Sequence, residues 1–213
     1  SLKAQLRGDF TAAEVGPELV REMEALSADW PAGYEFTLAG ENEESSKASA
    51  SIAAKLPVAF MIILFLLVAQ FNSMRRPIII LVTIPLGLIG VINGLLLAGS
   101  SFGFFTILGI IALSWIIINN AIVLIDRIEI ERNQLGREAS YAIVHACKQR
   151  LRPIVLATAT TVLGMMPLLW GGTAMFKPMA ISIIFGLAFA TLLTLVVVPV
   201  LYSLFFRVAY PGN

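Results

Sequence analysis

Two adjacent amides, Asn119 and Asn120, interrupt an apolar run from Gly109 to Asp126 near its inner end. An amide in hydrocarbon costs free energy unless another helix or a water-filled cavity satisfies it. The pair therefore points to a helix bundle that binds or conducts something, with interhelical packing as the competing use of the same groups. The other reactive side chains are isolated. Ser114 stands in the same run without a histidine in the span, which makes it a packing hydroxyl. Cys147 cannot form an internal disulfide, and with His145 as the lone histidine the chain offers no metal-ligand cluster. Both read as ordinary residues of a surface helix, an exposed imidazole and a small packed thiol. No nucleophile, base and oxyanion grouping and no Gly-rich phosphate loop occur, so an enzyme is unsupported and neither a cofactor nor a metal is expected.

The elements that hold the amides must be membrane helices. Hydrophobic residues make up 58% of the 213 and charged residues only 14%, which is outside the range of a soluble domain. The net charge of +1 is near balance, and the basic residues are scattered around apolar spans, which argues against nucleic acid as a partner. Hydropathy gives five candidate spans, at about 56–72, 77–98, 102–126, 153–171 and 178–206. The first is the weakest because its apolar stretch, Leu56 to Phe71, is short, and small residues from Ala48 to Ala54 allow its helix to extend outward through the stretch 44–55.

Basic residues set a direction. Arg75 and Arg76 close the first hairpin, Arg127, Arg132, Arg137, Lys148, Arg150 and Arg152 lie between spans three and four, and Arg207 follows span five. The opposite loops carry only Lys177. The positive-inside rule puts the N-terminal segment outside and the tail, 208–213, in the cytoplasm. Between spans three and four, Leu135, Ala139, Ala142, Ile143 and Ala146 recur at helical spacing, predicting an amphipathic helix over 133–149 on the inner membrane surface. Pro85 and Pro167 are expected to bend their helices, and Gly87, Gly90, Gly94, Gly164 and Gly186 to allow close helix approach.

Residues 1–43 are of water-exposed composition. Lys3 to Arg7 alternates like a strand, Thr11 can cap a helix from about Ala13 to Ala28, and Tyr34 to Leu38 alternates again. One β-α-β unit of this size leaves both sheet edges open and is too small for a stable core. It is expected to complete its sheet with chain outside this sequence. Residues 1–30 lack the pattern of a signal peptide and there is no initiator Met, so the sequence is expected to begin inside a longer protein. The fold class is thus a membrane α-helical bundle of five transmembrane helices, preceded by a small α/β segment, half of a ferredoxin-like unit.

The order of motifs resembles one family. A β-α-β unit is followed by an Arg-Arg-Pro hairpin at 75–77, Ile84-Pro-Leu-Gly87, Asn119-Asn120-Ala-Ile-Val-Leu-Ile-Asp126, Arg150-Leu-Arg-Pro153 and Gly164-Met-Met-Pro167. Together they resemble the C-terminal end of a resistance-nodulation-division efflux transporter of the acriflavine-resistance, or hydrophobe and amphiphile, type. The resemblance implies that the spans are the last five of twelve and that residues 1–43 close the last periplasmic porter subdomain. It further implies a homotrimer in the bacterial inner membrane that exchanges protons for amphiphilic small molecules, completed by its N-terminal half and joined to a periplasmic adaptor and an outer-membrane channel.

In that family a lysine-asparagine pair takes part in proton uptake, and it falls on Asn119-Asn120. An amide cannot supply the charge that lowers a neighbouring carboxylate's pKa, although it can hydrogen-bond to either protonation state. Arg150 matches the family's arginine, and the hydroxyl of the relay falls on Ala157, with Thr158 and Thr161 close by. Asp126, beside Arg127, and the large indole of Trp115, one turn outward from Asn119, are lesser candidates for a role on the same path. Met165 and Met166 are soft ligands suited to Cu(I), the chemistry of a copper or other heavy-metal exporter, but Gly-Met-Met-Pro is also a packing motif of the drug branch. A rival of another class is a structural or assembly module that transports nothing and needs the missing half.

Overall fold

The computed structural model describes residues 12–27, 30–31, 41–171 and 175–208. Among the described residues six α-helices follow one another: α1 Ala12–Ser27, α2 Glu41–Phe71, α3 Arg75–Ala98, α4 Phe104–Glu129, α5 Ala139–Gly171 and α6 Lys177–Phe205. A π-helical turn, Ile130–Gln134, extends α4. Helices α2 to α6 supply five segments long and apolar enough to cross a membrane, so the chain is a helical membrane protein. The two strands expected around α1 fall outside the described residues.

The expected outward extension of the first span is helical from Glu41, so α2 is 31 residues long. One boundary differs from expectation. The surface helix expected over 133–149 and the fourth span form a single helix of 33 residues. The break falls earlier because Gly136 takes a left-handed φ of 62°, a conformation that glycine adopts without steric cost, whereas nothing from Ala139 to Arg152 opposes helix. Helix α3 runs through Pro85, and α5 through both Pro153 and Pro167.

The core has two ends. Near the α2–α3 hairpin, Phe71, Ile79, Ile80, Leu124, Ile125, Ile128, Val198 and Tyr202 pack together with Ile143 and Ala146 of α5. Toward the other end Val91, Leu95, Leu113, Ile117, Leu187 and Ala190 form a second cluster among α3, α4 and α6. Small residues let α3 and α6 meet there. A Cβ at Gly90 would lie 2.7 Å from the Phe185 carbonyl oxygen and 3.0 Å from Gly186 Cα. The backbones therefore touch, as interfaces without a hydrophobic driving force require. Gly164, by contrast, has nothing within 4 Å of its would-be Cβ.

Burial is lopsided. In α6, 56% of the most apolar stretch is buried, but in α2 and α5 only 6% is. Helix α6 is the centre of this bundle, and the outer helices present nearly bare apolar surfaces.

Candidate functional site

Helix α4 has two faces of different fate. Leu113, Ile117, Ala121, Leu124 and Ile128 recur every three or four residues and are buried against α3 and α6. On the opposite side Ile111, Trp115, Asn119 and Asp126 share an exposed stripe. Trp115 is 70% exposed, so its indole closes nothing within the described residues. Asn120 is half-buried beside the stripe. Neither amide makes a hydrogen bond among the described residues, and Asp126 has no ion pair there.

The remaining candidates lie elsewhere. Thr158 shares a hydrogen bond of 2.8 Å with Thr191 of α6, tying α5 to α6 through two hydroxyls. Thr161 donates to the Ala157 carbonyl of its own helix at 2.9 Å, the back-bonding common to hydroxyls in apolar helices. Arg150 is half-buried, and its Nε–H is buried without an acceptor. No hydrogen bond or ion pair joins these seven residues to one another.

A denser polar cluster, missed in the sequence, sits where α4 ends. Glu131 is fully buried; its two oxygens accept from Arg127 Nη2 at 2.5 Å and Arg137 Nη1 at 2.6 Å, with His145 Nδ1 at 3.1 Å. His145 is therefore not the plain surface residue expected: it stacks on Tyr141, with ring centroids 5.5 Å apart, and lies 3.0 Å from Arg137 Nη1. Two residues earlier, Glu129 accepts from Arg76 Nη2 at 2.7 Å, Asn133 Nδ2 at 2.6 Å and the Tyr202 hydroxyl at 2.5 Å. Arg76 also donates to the Phe71 carbonyl at 2.7 Å, satisfying one of the orphan carbonyls at the end of α2. Neighbouring side chains two apart on a helix point to opposite sides. Glu129 accordingly gathers α2, α3 and α6, while Glu131 gathers the start of α5. The available signal was the pair of carboxylates following an apolar span amid arginines, but two of the partners of Glu129 lie 53 and 73 residues away.

Residues 3–206 match the sequence profile of the AcrB/AcrD/AcrF family. The chain belongs to that family. Proteins similar to it include an uncharacterized transporter of Haemophilus influenzae, 33% identical over 81% of this chain and 18% of its own length. The swarming motility protein SwrC of Bacillus subtilis is 30% identical, with 99% of this chain aligned to 20% of SwrC. Among solved structures, two crystal forms of a heavy metal efflux pump superpose with TM-scores of 0.70 and 0.68 at 29% and 27% identity. They cover 91% and 93% of this chain and 20% of the pump in each case. The chain thus spans about one fifth of the length of the relatives it matches, and the family assignment makes it part of a protein of the resistance-nodulation-division class.

Proposed function

We propose that this chain is the C-terminal part of an inner-membrane, proton-driven exporter of amphiphilic molecules. The observation that carries the reading is the uncovered stripe of α4. A membrane helix that buries one side in its own half-bundle and presents Asn119, Asp126 and Trp115 on the other is suited to pack against a second half-bundle along a polar seam. Family membership supports the same arrangement, with the missing spans supplied by the N-terminal half of the same pump. In this reading Asn119 and Asn120 hydrogen-bond to carboxylates of the other half, and Thr158 with Thr191 fixes the position of α5 beside them. Arg150 stands at the cytoplasmic entrance with a donor to spare. The assembly is a homotrimer joined to a periplasmic adaptor and an outer-membrane channel.

The test is Asn119→Leu in the full-length pump. Efflux of a cationic dye is expected to stop while folded trimer persists in the membrane; unchanged efflux removes Asn119 from the coupling path. A second reading, export of a heavy-metal cation, draws support from the two heavy metal efflux pump structures. Met165 and Met166 of α5 are half-buried soft donors that suit it. Growth of a deletion strain in copper salts and in amphiphilic dyes separates the two: protection by the restored gene against dyes alone supports the first, and protection against the metal alone the second.

A further inference from the structure

The end of the bundle where α3 begins and α4 and α6 finish gathers four arginines from three distant stretches of chain. Arg76 and Arg132 both lie against one aromatic ring, that of Phe206, with guanidinium carbons 5.9 and 5.7 Å from its centroid. Arg75 donates to the Phe205 carbonyl at 3.4 Å, and Arg207 is the next residue after Phe206. The acidic group at this spot is Glu129, and it is already engaged by Arg76, Asn133 and Tyr202. Arg75, Arg132 and Arg207 have no ion pair among the described residues, and the Nε–H of Arg76 is buried without an acceptor. Like-charged guanidinium groups repel one another, and the exposed carbonyls at the end of α6 balance only about half a charge. The cluster therefore has anion-binding capacity that its own carboxylate does not use.

A second feature specifies the shape of the anion's carrier. Leu192, Val196, Val200 and Leu204 recur every four residues along α6 and are 50–70% exposed. That apolar stripe runs down the span and ends at the arginines. A site with cations at the level of the lipid headgroups and an apolar track leading from them into the membrane matches an amphiphile with an anionic head.

We propose that Arg75, Arg132 and Arg207, with Arg76 behind them, bind the phosphate of an anionic phospholipid, whose acyl chain lies along the α6 stripe. Arginine presents its donors in a planar fork that fits phosphate oxygens two at a time. Basic pockets between membrane helices are a recurrent solution for such headgroups. Phe206, itself stacked on Tyr202, gives two of the guanidiniums a cation–π contact.

The experiment uses the full-length protein purified in detergent, with lipid binding counted by native mass spectrometry. The probes are dioleoyl phosphatidylglycerol, dioleoyl phosphatidylcholine and inorganic phosphate. Wild type is expected to retain phosphatidylglycerol in preference to phosphatidylcholine, and Arg75→Gln with Arg132→Gln to lose about twenty-five-fold of that preference, about five-fold for each cation removed. Arg75→Lys with Arg132→Lys keeps the charge and is expected to retain most of the preference, which separates loss of the site from loss of folding. Arg21→Gln on α1 should leave binding unchanged. Equal binding of the two lipids by wild type, or undiminished phosphatidylglycerol binding by the double glutamine variant, overturns the proposal. So does displacement of phosphatidylglycerol by inorganic phosphate, because the site would then take a free anion rather than a lipid.

Discussion

Replacing Gly90 by alanine tests the central contact of the bundle. The added methyl carbon would stand 2.7 Å from the Phe185 carbonyl oxygen, about 0.7 Å inside the 3.4 Å at which ordinary van der Waals contact begins. It would also meet Gly186 Cα at 3.0 Å, so backbone atoms rather than movable side-chain tips block it. Helix α6 must retreat from α3 by a similar distance. A gap of 0.5–1 Å forfeits roughly a quarter to a half of each dispersion contact across it. Val91, Leu95, Leu187 and Ala190 all sit on that seam. Overpacking of this kind costs about 1–3 kcal/mol. Alanine at Gly164, which has free space around it, should instead raise helix propensity by up to about 1 kcal/mol at no steric cost. The assay is the apparent melting temperature of the detergent-solubilised full-length protein, followed by loss of its gel-filtration peak. Gly90→Ala is expected to melt lower than wild type, and Gly164→Ala no lower. If Gly90→Ala melts at or above Gly164→Ala, the α3–α6 backbones are not in contact and the account of the core is refuted.

Two further substitutions probe polar ties between helices. Tyr202→Phe removes the hydroxyl that donates to Glu129 and leaves Arg76 and Asn133 to satisfy the carboxylate; a loss of about 1–2 kcal/mol is expected, read as a lower melting temperature of the same preparation. Thr191→Val deletes one partner of the Thr158 hydroxyl while keeping its volume. Hydrogen bonds between membrane helices average about 0.6 kcal/mol, so the melting temperature should shift little. Efflux, however, should fall if Thr158 must be held in place, and full efflux in Thr191→Val restricts the bond to packing.

Apolar length and Arg placement make the five membrane helices legible in the sequence, because a bilayer imposes span length directly on composition. Which face of α4 is buried is not legible there, because the run is apolar on every side and spacing alone leaves the direction of Trp115 undecided. What local pattern does not reveal is which residues meet across helices. Arg76, Glu129 and Tyr202 belong to three helices and converge only when the bundle closes. His145 illustrates the same limit: in the sequence it has no acidic residue within a turn, and its carboxylate arrives from the π-helical turn fourteen positions earlier. The join between surface helix and span was obscured differently. Pro153 looks like a boundary, yet a proline is tolerated within a membrane helix when its neighbours satisfy the freed carbonyl, and Gly136 was the actual breaker.

The α4 stripe itself admits three environments, and they differ in one measurable respect. Asn119 on the outer face could meet lipid, a packed helix or a water path, and only water lets a thiol ionise and react. Cysteine at position 119, in a Cys147→Ala background of the full-length protein, reports which of these holds. Helix α4 supplies its own controls: Asp126→Cys on the same stripe near the end of the span, and Leu113→Cys on the side buried to 1% exposure. With a small water-soluble maleimide, Asp126→Cys is expected to label and Leu113→Cys to remain unlabelled. If the amide lies on a proton path, Asn119→Cys should label as well, more slowly than Asp126→Cys because it lies seven residues, or about 10 Å, deeper along the helix. An unreactive Asn119→Cys beside a reactive Asp126→Cys would place the amide in packing or lipid. Since an unpaired amide in lipid is costly, the first would then be the better account, and the coupling role would pass from Asn119 to its half-buried neighbour Asn120.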